Sequence, residues 1–206
     1  MSIVKLNNKA VSNATAFGSI SSLGSMVFIK KLTASSSATL SFVDGTDGVV
    51  LDDTYKEYYF TFKNIHPQTD SVDFQFNLST DGGSNYNVTK TTTTFQTYHN
   101  EADSFTNLSY GDAFDLAQST DYQMITDNVG NDNDQNVVGY LQLFNPSSDI
   151  FVKHFICKSQ SVTQNDISFN LNIAGYGNTT SAVDGIRFQM SSGNIDAGDI
   201  CLYGIA

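Results

Sequence analysis

Apolar and polar residues alternate along most of the chain, and a period of two marks a strand with one face buried. Val72, Phe74, Phe76 and Leu78 fall on one side of Asp73, Gln75 and Asn77, and Ile167, Phe169, Leu171 and Ile173 fall opposite Ser168, Asn170 and Asn172. Phe151, Phe155 and Cys157 interleave with Val152, His154 and Ile156, which predicts a strand buried on both faces with His154 in the core. Further strands are predicted over Met26–Leu32, Thr39–Val43, Tyr58–Ile65, Thr94–His99, Val138–Phe144, Ile186–Met190 and Ile200–Tyr203. About ten short runs separated by Gly, Asn, Asp and Ser clusters make the chain all-β, a sandwich or a barrel.

Between the runs, Asp81-Gly-Gly-Ser84 reads as a hairpin tip, because its residues tolerate positive φ. His66-Pro67 ends the strand before it, since proline cannot donate to a ladder. Asp112–Gln118 has the apolar content for one or two helical turns at most. Tyr110–Asn136 is the longest stretch without alternation, and a loop of that length is either functional or ordered by a neighbour. The first 25 residues are small and polar, with Val4, Leu6, Val11 and Phe17 as scattered apolar anchors. They read as an extended arm, residues 1–25, ahead of one sandwich domain, residues 26–206.

Composition narrows the function. The 206 residues hold 21 acidic and 10 basic side chains, a net charge of −11. So few Lys and Arg exclude nucleic acid as the main partner and disfavour anionic membrane surfaces. No apolar run approaches the roughly 18 residues of a membrane span. The start lacks the apolar stretch of a secretory signal, so the expectation is a protein made and kept in a cytoplasm, at least at first. Cys157 and Cys201 have no metal or redox spacing and read as buried free thiols.

Chemistry is sparse. No nucleophile elbow, phosphate loop or dinucleotide fingerprint occurs, which argues against an enzyme. Of the three imidazoles, His66, His99 and His154, only His99 has acids beside it to orient it, Glu101 and Asp103. Asp127, Asp132 and Asp134 offer hard oxygen ligands, so Ca²⁺ is the one cofactor the sequence admits, against a plain solvated loop; the spacing is not that of an EF-hand. A glycan site would have to use tyrosine platforms, Tyr86, Tyr98, Tyr110 or Tyr122, because the chain has no Trp. The acid pairs Asp70/Asp73 and Asp112/Asp115, which a depolymerase would need close together, are pairs in sequence only.

Several segments resemble a family of bacteriophage virion proteins common in marine and aquatic phages. They include Val4-Lys-Leu-Asn-Asn-Lys-Ala10, Phe17-Gly-Ser-Ile-Ser-Ser-Leu-Gly24, Asn64-Ile-His-Pro67, Ser79-Thr-Asp-Gly-Gly-Ser-Asn-Tyr-Asn87, Leu143-Phe-Asn-Pro-Ser-Ser148 and Val152-Lys-His-Phe155. The closing Ile186-Arg-Phe-Gln-Met-Ser-Ser-Gly-Asn-Ile-Asp-Ala-Gly198 and Leu202-Tyr-Gly204 are similar to the ends of phage fibre proteins. The resemblance implies a jelly-roll-like sandwich, a homotrimer, and a place in the virion after assembly in the host cytoplasm. It implies a structural role, as an external tail-fibre or host-adhesion component or as a capsid decoration protein. The partners would be other virion proteins and a host surface glycan or protein. Loop tips around Asp81, Asn85 and Tyr86 and along Asp127–Asn136, with Tyr98 and Tyr110, are the expected contacts, and the arm is expected to dock on a neighbour.

Overall fold

Residues that are apolar at every second position can bury those side chains only by laying one sheet face on another. The structure, a computed structural model, describes residues 25–206. Those residues form β1 (Met26–Thr33), β2 (Leu40–Val43), β3 (Glu57–Pro67), β4 (Phe74–Ser79), β5 (Lys90–Asn100), β6 (Thr106–Tyr110), β7 (Gln123–Met124), β8 (Val137–Phe144), β9 (Lys153–Val162), β10 (Ile167–Gly177), β11 (Gly185–Met190) and β12 (Ile195–Ile205). Two antiparallel sheets result, one in the order β1-β12-β3-β8-β9-β10-β5-β6 and one in the order β2-β11-β4-β7.

Eight strands behave as one long hairpin rolled over on itself. β1 pairs β12, β2 pairs β11, β3 pairs β8 and β4 pairs β7, with successive pairs assigned to alternate sheets. That wrapping is the jelly roll. The remaining strands are two inserted hairpins, β5–β6 and β9–β10, and both extend the larger sheet through the β8–β9 and β10–β5 ladders.

The core lies between the sheets, with Phe188 at its centre. Its ring lies within 6.3 Å of those of Phe42, Phe60, Phe62, Phe74 and Phe76. Each such buried ring contributes about 1.5–3 kcal/mol relative to exposure. Phe76 also meets Phe155 edge-on at 5.2 Å, which carries the packing onto β9. Beyond β9 the small sheet gives out, and the Gly111–Tyr122 segment takes over, with Phe114 packed 5.9 Å from Phe169 of β10.

Several expectations change. β9 buries Phe155 and Cys157 but exposes Ile156 and His154, because the outer face of the large sheet carries no second layer among the described residues; His154 lies at the surface there, 6.0 Å from Tyr176. Asp112–Gln118 forms turns rather than helix. Asp81-Gly-Gly-Ser84 is a turn, but it links strands of different sheets, so it is not a hairpin tip. β3 continues through His66 to Pro67, which lies opposite Ile195. The arm expected over residues 1–25, with Val4, Leu6, Val11 and Phe17, lies outside the described residues except for Ser25, whose carbonyl accepts the Ala206 N–H at 3.0 Å.

Candidate functional site

Cross-strand register places two rows of side chains on the outer face of the large sheet, the face turned away from the small sheet. One runs Phe28, Tyr203, Tyr59, Gln142, Ile156, Ala174 and Thr93, and the next runs Lys31, Cys201, Thr61, Tyr140, Lys158, Asn172, Phe95 and Tyr110. Phe28, Phe95, Tyr110 and Ile156 are each about half exposed or more, with Phe95 at 50% and Ile156 at 45%. Tyr59 and Tyr140 stack, and burial together with the Tyr140 neighbour raises the Tyr59 hydroxyl above the ordinary phenol range. Neither row contains an Asp or Glu, in a chain with 21 of them.

The loops singled out from sequence lie at opposite ends of the sandwich. At one end, Asp81 accepts hydrogen bonds from the Ser79 hydroxyl, the Asn85 N–H and the Asn85 amide, and these contacts hold its carboxyl below the usual range. Asp184, which receives the Gly82 N–H, ties this turn to the start of β11. Tyr86 is buried here under the Arg187 guanidinium, 3.9 Å from its ring centroid, so it offers no open face to a ligand. The same end carries Ile150 and Phe151, 69% and 65% exposed, on the β8–β9 loop. Alternation in the sequence puts Phe151 inside a strand, but β9 starts only at Lys153, which leaves Phe151 on the loop.

At the other end, Asp127, Asp132 and Asp134 do not converge. Asp127 accepts the Asn128 amide at 2.6 Å, while Asp132 and Asp134 are exposed and the Asp132 carbonyl lies 3.2 Å from His66 Nε2. Among the described residues no three His, Cys, Asp or Glu side chains gather as a metal group. Asp127 stands instead near Asp73, and partial burial raises both carboxyls, Asp127 also through the Asp73 charge.

Tyr98 is half-buried against Phe105 and Phe169 and takes part in the walls of two recesses, of about 550 Å³ and 470 Å³. The first is polar, with Asn107, Gln160, Asn170 and His99, and His99 Nε2 lies 3.0 Å from Asp103. The expected acid beside His99 is therefore present, although the pair is largely exposed. Tyr110, the other tyrosine of this region, donates its hydroxyl to Asp115 at 2.6 Å, which raises its pKa.

A buried polar seam accounts for the long segment without alternation. Where β6 stops, residues 111–119 continue along the edge of β5: Lys90 and Ser119 exchange backbone hydrogen bonds, and the Thr92 N–H donates to the Leu116 carbonyl. The Thr92 hydroxyl donates to Gln123 and receives the Leu116 N–H, and Gln123 donates to the Phe114 carbonyl. Two lysines are fully buried at the ends of this region, Lys90 and Lys153, on either side of Gly177. None of the ion pairs among the described residues involves either of them. Burial lowers both amines, Lys90 to about 7, and each donates to backbone carbonyls, Val88 for Lys90 and Phe151 for Lys153.

Comparison with protein-family profiles, curated proteins and solved structures returns no match. The reading of function therefore rests on the residues themselves. Both cysteines are free; Cys157 is buried and its thiol is pushed well above the usual range, while Cys201 is half-buried on the outer face.

Proposed function

We propose that the chain is a non-enzymatic structural protein of a bacteriophage particle, an external tail-fibre or host-adhesion component acting as a multivalent homotrimer. The observation that carries this reading is the pair of acid-free rows, rich in aromatic side chains, along the outer face of the large sheet. Eight strands spaced about 4.8 Å apart and these two rows of side chains make a strip of roughly 500 Å², flanked by Glu57 beside one row and Asp199 beside the other. That is below the ~800 Å² each partner contributes to a standard stable interface, so the flanking rows would take part as well. The occupant is a second copy of the chain: copies carrying −11 each repel one another, and this face brings them together with no carboxylate in its two central rows. The order of the sequence segments that resemble phage virion proteins agrees with such a role. Loop ends would then be repeated around the assembly, where weak contacts gain avidity.

A label fused after Ala206, imaged on purified particles, tests the placement. Tens of labels on the tail support the adhesion role, hundreds on the head support a capsid decoration protein, and unlabelled particles overturn both. The recess beside Tyr98 favours a second reading, a glycan-binding module, because it joins an aromatic wall to amide side chains in a volume suited to a small ligand. Saturable binding of host polysaccharide that Tyr98→Ala abolishes would support it.

A further inference from the structure

We propose that β6 is a docking edge: it takes the acid-free segment around Lys5 and Lys9 of a second copy as an added strand, a contact that rests on the reading above that copies of the chain associate. β6 is the last strand of the large sheet and has a neighbour on one side only. The ladder fixes which of its backbone groups are engaged. The Asn100 N–H donates to the Phe105 carbonyl at 3.4 Å, and the Gly111 N–H donates to the Thr94 carbonyl at 3.2 Å. Hydrogen-bonded pairs recur at every second position of an antiparallel ladder, so Tyr98/Asn107 and Gln96/Ser109 are the bonded pairs between them. Thr106, Leu108 and Tyr110 therefore turn their N–H and C=O groups away from β5. No backbone partner reaches those groups among the described residues, and Leu108 is 69% exposed.

The opposite edge of the sheet is blunted. β1 carries a bulge between Phe28 and Lys30 and two lysines, Lys30 and Lys31, all of which oppose the addition of a strand. β6, Thr-Asn-Leu-Ser-Tyr, has no charge and no proline, and its register with β5 is unbroken. Such an edge is a template that a further strand can join through main-chain hydrogen bonds.

Charge selects the occupant. Residues 91–152 contain nine Asp and Glu and no Lys or Arg, and Glu101 and Asp103 precede β6 while Asp112 and Asp115 follow it. Among the described residues none of these four pairs with a Lys or Arg; Asp103 meets only His99. A second β6 is a poor partner, because antiparallel pairing about Leu108 sets Asp112 of one copy opposite Ser104 of the other, next to Asp103. The first 43 residues are the reverse, with four Lys and no Asp or Glu. Lys30 and Lys31 belong to β1, which leaves Lys5 and Lys9, in the part of the chain outside the described residues. In an extended strand these two stand about 14 Å apart, against about 17 Å for β6, so one ammonium reaches each pair of acids. The segment comes from a neighbour, because Ser25 leads into β1, seven strand spacings or about 34 Å from β6 across the face that a neighbour covers in the proposed assembly.

Hydrogen exchange on the full chain, read at single amides at a concentration where copies associate, tests this. The outward amides of Thr106, Leu108 and Tyr110 should exchange at least about tenfold more slowly than in Lys5→Glu/Lys9→Glu, with Asn107 and Ser109 slow in both. The extra protection should vanish on dilution to the monomer. Leu108→Pro removes one outward N–H and none of the bonds to β5, and it should weaken association about tenfold. Outward amides that exchange equally fast in the wild-type and charge-reversed chains overturn the proposal, as does unchanged association in Leu108→Pro. If copies still associate in either case, the outer-face contact stands without this one. Protection that persists in the monomer overturns the assignment to a second copy, and a chain that is monomeric at every concentration overturns both contacts.

Discussion

Tyr59 of β3 and Tyr140 of β8 stack at 5.1 Å, their planes 18° apart, on a sheet face that carries no second layer among the described residues. An aromatic pair of this kind contributes more once water is excluded around it. Replacing Phe95 and Ile156 of the same face by lysine should therefore turn the proposed trimer into a monomer in light scattering after size exclusion. Because neither residue packs into the core, the variant monomer should unfold within roughly 0.5 kcal/mol per site of a wild-type monomer. A variant that remains trimeric would place the subunit contact elsewhere.

Phe188 is fully buried and packs against five other rings, so its removal leaves a cavity at the centre of the core. Phe188→Ala should cost about 3–5 kcal/mol in denaturant unfolding. The same change at Phe95, which is half exposed, should cost the isolated subunit much less.

Lys90 makes stability depend on pH in a definite direction. Its folded value of about 7 lies below the 10.5 of an unfolded lysine, so between these values the unfolded chain binds the extra proton. Stability should therefore rise with pH across that window, by up to about 1.4 kcal/mol per unit from this group, and show no dependence on it below about pH 7. Lys90→Met should remove that increment from the urea midpoint measured at successive pH values.

Asp127 acts in the opposite sense. Burial and Asp73 raise its folded pKa, so ionising it opposes folding, and the penalty is fully present above that pKa. Asp127→Asn should therefore raise the melting temperature at neutral pH, and the gain should shrink as the pH falls through the folded value.

Strands with one buried side were legible in the sequence because burial itself writes the period of two. β6 was not, since Thr106–Tyr110 lies at the sheet edge with almost every side chain exposed, and no hydrophobic pattern is required there. Nor was β7, which is only two residues long. The Asp81-Gly-Gly-Ser84 residues mark a turn, but a turn does not say which sheet the next strand joins, and here it is the other one. The run Phe155-Ile-Cys157 carried more than it first suggested. Apolar residues out of phase with the core read as burial on both faces; among the described residues nothing lies over the second face, and in the proposed assembly a neighbour covers it. Lys90 and Lys153 left no signal, because a lysine reads as surface whatever lies over it.

The Asp81 turn and the Asp127–Asn136 loop stand at opposite poles of the sandwich. A subunit mounted on a particle by one pole can offer only the other to the outside world. In the proposed particle, its orientation would thus decide which of the two loops natural selection is free to vary and which is constrained as a fixed socket.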